Sequence, residues 1–399
     1  MKLIERPLYL DELISLLGTP DIKVITGIRR CGKSKMLEAL AAHLKKNDPK
    51  ANIIHINYNL TDYETIAEYH ALEKYVEDKY KARKNNYLLI DEVQMCNGFE
   101  KAVNSLYAKQ KYDIFITGSN AFLQSSDLAT LFVGRTYEVH IFPFSFNEYL
   151  KYYPSKNIYE SFSKYLTEGG MAGSYLYKTE RQKYNYINNE VFNALIVRDI
   201  KKKYKIRHGQ LLDNLIDFLV DNAGNMTSVR NICETLISNK DRYDHKTVGK
   251  YLKYLCRAFA FYMIRKYDIR GKKYLRNEAK YYLCDHSFKY ARLGTKDLDL
   301  GHMLENIVAI ELLRRGYELY AGKLFANEID FVAQKQGEKI YFQVAYDISE
   351  KKTFEREISP LLKINDAYPK ILLSRTYRPP FQHEGVKIID IADWLSANL

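Results

Sequence analysis

The chain has 399 residues, of which 46% are hydrophobic and 28% charged, so it can bury more than one apolar core. This composition argues against a disordered chain, and the length favours two or three domains. The formal net charge of +12 at pH 7 favours an anionic partner but places no constraint on the fold.

The cysteine pattern and the N-terminal sequence indicate the cellular compartment of the protein. The cysteine count is odd, and neither close pairs nor metal-ligand spacings occur among Cys31, Cys96, Cys233, Cys256 and Cys284. Charged residues such as Glu5 and Asp11 interrupt any apolar run near the start, and no run of about eighteen apolar residues occurs later. We therefore expect a soluble protein of the reducing cytoplasm, without membrane contact.

The first predicted strand and helix flank a glycine-containing loop. A compact β-branched run, "DIKVITGI", precedes it, and "KSKMLEALAAHL" follows with apolar residues at helical spacing. The loop itself matches the pattern G-x-x-x-x-G-K-[ST] at Gly27, Gly32, Lys33 and Ser34. Strand, loop and helix in this order predict a phosphate-binding loop, in which backbone N–H groups surround the phosphates at a helix N-terminus.

Each residue type in the loop suits this chemistry. The two glycines permit backbone angles and close approaches that a Cβ would block. Lys33 would neutralise the β- and γ-phosphates, and the Ser34 hydroxyl would bind Mg²⁺. The residues predicted to bind the nucleotide are Gly27, Ile28, Arg29, Arg30, Cys31, Gly32, Lys33, Ser34 and Lys35.

The stretch "NYLLIDEVQ" supplies the carboxylates that a phosphate site needs. Its apolar residues predict a buried strand of the same sheet that ends at Asp91. Asp91 is placed to hold magnesium with Ser34, and the adjacent Glu92 to polarise an attacking water.

Two further candidates follow along the chain. The predicted strand "YDIFITGSN" ends in the polar residues 117–120, one of which would face the γ-phosphate or the water unless they form only a polar loop. Before the strand pattern "TYEVHIFPF", Arg135 is suited to stabilise a transferring phosphoryl group, either within the chain or from a neighbouring subunit. A solvated surface role for Arg135 stays open.

The stretches "GIRRCGKS", "LLIDEVQ", "ITGSNA", "LFVGRTYEVHIFPFSFNEYL" and "YLTEGGMAGS" together resemble the AAA+ ATPases of bacteria and archaea that carry a C-terminal domain of unknown function. The resemblance covers nearly the whole chain. It implies a Walker A motif at Lys33 and Ser34, a Walker B motif at Asp91 and Glu92, a sensor at Asn120 with Ser119, and an arginine finger at Arg135. It further implies an ATPase core over 1–150 and a helical lid over 151–204.

Beyond a basic run at 198–208, the patterns predict a winged-helix domain over 205–290. Three predicted helices are followed by two strand-like runs around Gly271, and residues 257–280 hold eight lysines and arginines against two acidic residues. DNA is the simplest partner, because such side chains release counterions from its phosphates. The candidate contacts are Lys246, Lys250, Lys253, Arg270, Lys272 and Lys273. A protein-binding winged helix is the alternative.

The segment 291–399 resembles the PD-(D/E)xK nuclease fold, an α/β layer of the restriction-endonuclease type. Glu305 in a predicted helix and Asp330 in a strand match the carboxylates of that site. Gln343 stands where Glu is usual, and Ala345 stands in the lysine position. Because alanine can neither bind charge nor orient water, we expect the site to be degenerate, with a structural or DNA-docking role.

These expectations combine into one interpretation. The chain is expected to be an α/β P-loop NTPase of the AAA+ type that couples binding and hydrolysis of Mg-ATP to engagement of DNA. The two alternatives are a nucleotide-gated protein-binding switch with little turnover and an ATP-controlled, metal-dependent nuclease. An arginine acting from a neighbouring subunit would require a homo-oligomer.

Overall fold

The computed structural model describes residues 4–118, 132, 134–236, 244–294 and 299–397. The chain divides into two compact units, Glu5–Ile141 and Phe142–Leu399. All five cysteines are free thiols. Among the described residues, no helix combines the length and the apolar character needed to cross a bilayer.

The first unit is an α/β layer built on a parallel sheet with strand order β2-β3-β4-β1-β5. Its strands are β1 (Ile22–Thr26), β2 (Ala51–Asn57), β3 (Asn85–Asp91), β4 (Asp113–Thr117) and β5 (Thr136–His140). Its helices are α1 (Pro7–Ser15), α2 (Lys33–Asn47), α3 (Tyr69–Asp78) and α4 (Phe99–Ala108), with 3₁₀ turns at Thr61–Ile66 and Val93–Met95. The predicted α/β class with a parallel sheet is confirmed.

Burial explains why the strands of this unit read as continuous apolar runs. Every residue of β1 is buried, as are Leu88, Leu89 and Ile90 of β3, because helices cover both faces of the sheet. In α2, the buried residues are those at helical spacing. The parallel pairing brings the carboxyl ends of β1, β4 and β3 to one edge of the sheet, since β4 lies between the other two.

The second unit combines helices with a mixed sheet. The helices are α5 (Phe146–Tyr152), α6 (Ile158–Glu168), α7 (Glu180–Asn185), α8 (Gly209–Asp221), α9 (Val229–Leu236), α10 (His245–Arg257), α11 (Ser287–Leu293), α12 (Leu300–Arg314), α13 (Lys351–Leu362) and α14 (Ile391–Ser396). A 3₁₀ turn spans Ala172–Leu176, and π-helical segments span Tyr186–Asn193 and Leu195–Lys202. The strands are β6 (Phe261–Asp268), β7 (Lys273–Leu283), β8 (Glu318–Leu324), β9 (Asn327–Lys335), β10 (Glu338–Ala345), β11 (Lys370–Ser374), β12 (Phe381–His383) and β13 (Val386–Asp390).

The sheet of the second unit has the order β12-β13-β11-β10-β9-β8-β6-β7. Successive residues of its strands enter opposite cores: Phe331 packs in the cluster that includes α12, while Val332 packs in the cluster that includes α13. The sheet is therefore covered on both faces. Residues 318–324, which follow the predicted helix ending near Gly316, form β8 and pair with β9.

The hairpin of the predicted winged helix belongs to this same sheet. The strands β6 and β7 pair antiparallel, and β6 also pairs parallel with β8 between Arg265 and Asp268. The sheet thus crosses the boundary predicted at residue 290. The winged-helix and nuclease-like segments share one hydrogen-bonded layer, and their assignment as separate domains stays a prediction.

Candidate nucleotide-binding site

The loop between β1 and α2 has the backbone that its glycines predict. Gly27 has φ 137°, and a Cβ there would lie 2.2 Å from the backbone oxygen of Ile141. Gly32 caps α2 with φ 109°, a left-handed conformation that L side chains rarely adopt. The N-terminus of α2, with its unsatisfied N–H groups, therefore opens directly onto the loop.

Two cationic side chains of the loop are placed for an anionic ligand. Lys33 is 7% exposed, and its Nζ donates hydrogen bonds to the backbone oxygens of Gly27 at 2.9 Å and Ile28 at 3.3 Å. The Nε of Arg29 is buried and has no hydrogen-bond partner within the described part of the chain. A buried, unpaired donor and a buried ammonium group in the same loop suit a polyphosphate.

Asp91 ends β3 at the edge of the sheet where the loop lies. It is 1% exposed, and its Oδ1 accepts a hydrogen bond from the hydroxyl of Thr117, the last residue of β4. Its other carboxylate oxygen, Oδ2, is buried without a partner in the described residues. An ionised oxygen kept from water in this way is costly unless a ligand meets it.

These groups fit a magnesium ion. Carboxylate and hydroxyl oxygens are the ligands that Mg²⁺ prefers, and the orphaned Oδ2 of Asp91 is such an oxygen. The predicted second ligand, Ser34, lies in the first turn of α2, and its side chain is half-buried. Asp91 would therefore hold the ion, and Ser34 stays its predicted second ligand.

Glu92 follows Asp91 with a left-handed backbone, φ 55° and ψ 48°. For a residue with a Cβ this conformation costs about 1–2 kcal/mol, and such strain is concentrated at functional sites. The N–H of Glu92 donates to Thr117 Oγ1 at 3.2 Å, and its carboxylate accepts a hydrogen bond from Gln94. Glu92 is therefore held by its neighbours on both the backbone and the side chain.

A polar network lies at the ends of β1 and β5, next to the loop. The Thr26 hydroxyl donates to Glu138 Oε1 at 2.7 Å and lies 2.9 Å from Nδ1 of His140, which leaves the ring N–H to donate to the hydroxyl. Burial and the positive charge of Lys33 lower the pKa of His140 to about 3. The ring is therefore neutral near pH 7, and burial raises the pKa of Glu138.

Arg6 belongs to this site although sequence reasoning passed over it. Its guanidinium is 5% exposed, donates to the backbone oxygen of Cys31 at 2.9 Å, and lies 4.5 Å from the ring centroid of Tyr9. It comes from the start of α1, far in sequence from the loop. No local motif marks such a residue, so only the fold reveals it.

Two predicted catalytic residues, Arg135 and Asn120, are not found at the loop in the described part of the structure. Arg135 precedes β5, whose first residue, Thr136, pairs with Ile22 at the start of β1. It therefore lies at the opposite edge of the parallel sheet from the loop, exposed, with its guanidinium 5.3 Å from the Tyr107 ring. The structure does not bring Arg135 to the loop of its own chain. Asn120 and Ser119 lie outside the described residues.

The predicted DNA contacts divide into two groups. On α10, the side chains of Lys246, Lys250 and Lys253 are exposed, while Val248 and Leu252 are buried, as helical spacing predicts. These lysines therefore form one stripe on the solvent face of the helix. At the turn from β6 to β7, Arg270, Lys272 and Lys273, the first residue of β7, are exposed, and the Arg270 guanidinium lies 5.0 Å from the centroid of the Phe325 ring.

The residues of the predicted nuclease-like site lie close together. Glu305 on α12 is 5% exposed, and Asp330 on β9 is 8% exposed. Gln343 Oε1 accepts a hydrogen bond from the N–H of Asp330 at 3.3 Å, and Asp330 Oδ2 accepts one from the N–H of Val344 at 2.8 Å. Among the described residues, no three or more His, Cys, Asp or Glu side chains are arranged to hold a metal ion.

A lysine whose role here the sequence pattern did not indicate occupies this cluster, from the second of the two predicted strands around Gly271. Lys280 on β7 is 3% exposed, and its Nζ lies 2.7 Å from Glu305 Oε1, in contact with Glu328 and 3.9 Å from Asp330. Tyr282 also donates to Glu305 Oε1 at 2.5 Å. Burial and the charge of Glu305 raise the pKa of Asp330, while the carboxylates together raise the pKa of Lys280 despite its burial.

Comparison with known proteins is consistent with the geometry of the first unit. The AAA domain family matches residues 19–150, and a domain of unknown function (DUF8612) matches residues 159–299. An uncharacterized protein of Haemophilus influenzae is 37% identical over 402 residues, which cover 98% of this chain and 98% of the relative. The chain therefore belongs to the AAA family of P-loop ATPases that carry a domain of unknown function, as the motifs predict.

More distant relatives and solved structures extend the comparison. An uncharacterized protein of Methanocaldococcus jannaschii is 27% identical over 394 residues, which cover 93% of this chain and 85% of the relative. The Walker-type ATPase of Pyrococcus abyssi has 15% identity and a TM-score of 0.41, with coverage of 72% of this chain and 95% of that chain. AMPPCP-bound DnaA from Aquifex aeolicus has 16% identity and a TM-score of 0.30, with coverage of 64% and 84%.

Proposed function

We propose that the protein is an ATPase whose hydrolysis of ATP changes how its second unit engages DNA. One observation carries the nucleotide part of this proposal. Asp91, with its buried and orphaned Oδ2, ends a strand at the same sheet edge as a loop that holds the buried Lys33. A metal-binding carboxylate and a phosphate loop in this relation suit Mg-ATP.

Each residue of the proposed site has its own role in ATP hydrolysis. The loop Gly27–Lys35 binds the phosphates through backbone N–H groups, and Lys33 exchanges its backbone acceptors for phosphate oxygens. Mg²⁺, held by Ser34 and Asp91, would neutralise charge on the β- and γ-phosphates. Glu92 accepts a proton from the water as the water oxygen bonds to the γ-phosphorus and the bond to the ADP oxygen breaks.

Arg135 is proposed to act on a neighbouring subunit. Its position at the opposite sheet edge from the loop of its own chain supports this assignment, because an exposed arginine there is free to meet another molecule. A second copy of the chain would then complete each ATP site, in a homo-oligomer. Asn120 is proposed to orient the attacking water.

DNA is proposed to bind the lysine stripe on α10 and the basic turn between β6 and β7. These elements are proposed to form a winged helix, and the protein is proposed to act in the cytoplasm. The support is the charge and exposure of these side chains, which together can neutralise several backbone phosphates. A protein partner is the second candidate, since the same stripe would suit an acidic surface. Nothing at the stripe marks a particular base sequence.

The nuclease alternative is weaker. The cluster at Glu305 and Asp330 is buried, and the ammonium group of Lys280 already neutralises part of its charge. A phosphodiester needs access to its metal site, which such burial opposes. We therefore propose a structural role for the nuclease-like segment, or a DNA-docking role that involves no cleavage.

The test is the steady-state ATPase rate with magnesium, with and without duplex DNA, for the parent chain and Glu92→Gln. Stimulation by DNA that is lost in the variant would support the whole proposal. A rate that depends on Glu92 but ignores DNA would support the ATPase and direct the search to a protein partner. A Glu92→Gln variant as fast as the parent would refute the assigned chemistry.

A further inference from the structure

The turn after β3 contains a contact that the proposed chemistry has not yet used. The side chain of Gln94 folds back on Glu92, and its Nε2 donates a hydrogen bond to Glu92 Oε2 at 2.5 Å. The two residues are separated by Val93 in the motif "LLIDEVQ", and the 3₁₀ turn that begins at Val93 brings their side chains into contact.

The position of Gln94 is fixed by the residues on either side. Val93 is fully buried in the core of the first unit, and the N–H of Met95 donates to the backbone oxygen of Glu92 at 2.9 Å. Gln94 therefore sits in a closed 3₁₀ turn between an anchored residue and a hydrogen-bonded one. Its amide meets the carboxylate from a rigid element, which favours precise orientation.

A general base needs its carboxylate oriented as well as present. Proton transfer requires one oxygen to lie within hydrogen-bond reach of the water, and small displacements cost rate. A donor that holds Oε2 stops rotation of the carboxylate about its terminal torsion, which is otherwise broad. Oε1 is then left for the water.

We propose that Gln94 is a positioning residue for Glu92, an inference that rests on the proposed ATP hydrolysis. The amide of Gln94 donates to Oε2 before and after the chemical step and gives up no proton. The proton from the attacking water goes to Oε1 of Glu92. Gln94 therefore affects the rate of the chemical step and leaves nucleotide binding to the phosphate loop.

The test compares Gln94→Leu, which keeps size but donates no hydrogen bond, with Met95→Leu in the same turn, where the side chain is exposed. We expect Gln94→Leu to lower kcat about tenfold, part of the about 10²-fold or more that a general base contributes. Its affinity for a fluorescent ATP analogue should stay within about twofold of the parent. Met95→Leu should match the parent in both measurements and in its melting temperature.

A second variant separates positioning from a merely structural role. Gln94→Glu keeps the length of the side chain but replaces the donating amide with a carboxylate, which repels Glu92. We expect its kcat to fall at least as far as that of Gln94→Leu, while its melting temperature stays close to that of the parent.

The outcomes are distinct from those of the ATPase proposal. A parental kcat in Gln94→Leu or in Gln94→Glu overturns the inference while the dependence on Glu92 stands. A parent chain without ATPase activity, or one indifferent to Glu92→Gln, overturns the proposed function and this inference with it.

Discussion

The hydroxyl of Thr117 donates a hydrogen bond to Asp91 while it accepts one from the N–H of Glu92. One fully buried side chain at the end of β4 thereby fixes both the proposed metal ligand and the backbone of the proposed base. Thr117 lies opposite Ile25, two residues before Gly27, so the same strand also adjoins the phosphate loop. The side chain of this threonine therefore positions two proposed functional groups, Asp91 and Glu92.

The threonine should therefore be needed for more than packing. Thr117→Val keeps the shape but leaves the N–H of Glu92 without its acceptor, which should lower the unfolding free energy by about 1–3 kcal/mol. We expect the ATPase rate to fall as well, because Asp91 loses its donor. Denaturant unfolding and steady-state ATPase assays check this, with Thr117→Ser as the control that retains the hydroxyl. Parental values for the valine variant would contradict it.

The Lys33 side chain should determine nucleotide affinity, whereas the Lys35 side chain should not, because Lys35 contributes to the loop only through its backbone. Lys33→Met is expected to weaken ATP binding about 10- to 100-fold, which corresponds to the about 1.5–3 kcal/mol of a hydrogen bond to a charged group. The Lys35 side chain is exposed and paired with Glu38 at 2.6 Å, so Lys35→Met serves as the matched control. Calorimetric titration with ATP and magnesium measures both. Equal losses in the two variants would mean that general charge, not the loop, binds the nucleotide.

Lys280 should stabilise the second unit through its carboxylate partners. Removing one member of a buried ion pair costs about 3–5 kcal/mol, so Lys280→Met should lower the unfolding free energy by that order. Lys273→Met, at an exposed position on the same strand, should change it little. Urea unfolding at neutral pH makes the comparison.

The pH dependence of that loss has a definite sign. Without Lys280, Asp330 stays buried beside Glu305 with no cation to offset its charge, which holds the folded-state pKa of Asp330 above that of the unfolded chain. Stability from such groups is present below the unfolded pKa and is lost as the pH rises through the folded pKa. The deficit of Lys280→Met relative to the parent should therefore shrink from pH 8 to pH 5. A deficit that grows on acidification would refute the ion-pair account.

Charge reversal on α10 tests DNA engagement. Lys250→Glu with Lys253→Glu should weaken duplex binding and reduce the slope of log K against log salt by about one for each DNA phosphate that the protein no longer neutralises. Lys351→Glu is the control, because the Lys351 side chain on α13 is 89% exposed but lies outside the stripe. Fluorescence anisotropy over a salt series provides the measurement. An unchanged slope would favour the protein-binding alternative.

The parts of the fold that the sequence predicts are those set by local patterns. The strand before Gly27 and the helix after Gly32 are adjacent in sequence, and their apolar spacing matches the burial found. The position of Asp91 is predictable because it is the first charged residue after the apolar run of β3, and the carboxyl end of a buried parallel strand lies at the sheet edge. The order of these motifs along the chain then predicts the AAA+ family.

The contributions that escaped prediction are non-local. Arg6 reaches Cys31 from α1, and Lys280 reaches Glu305 and Asp330 from β7. The strand pattern places the missing lysine at Ala345, and only the pairing of distant strands shows that an ammonium group arrives from elsewhere. The sequence pattern does not separate strand β8 from the helix before it, because the short apolar run of β8 directly follows a long apolar helix.

The pairing of β6 with β8 has a practical consequence for fragments of this protein. A fragment that ends at residue 290 would keep the β6–β7 hairpin but lose β8. The backbone N–H and C=O groups of β6 from Arg265 to Asp268 would then form an unpaired strand edge. Uncapped edges of this kind recruit other strands and promote aggregation. DNA binding measured on such a fragment would therefore include a contribution from aggregates. In the intact chain, β8 pairs with this edge.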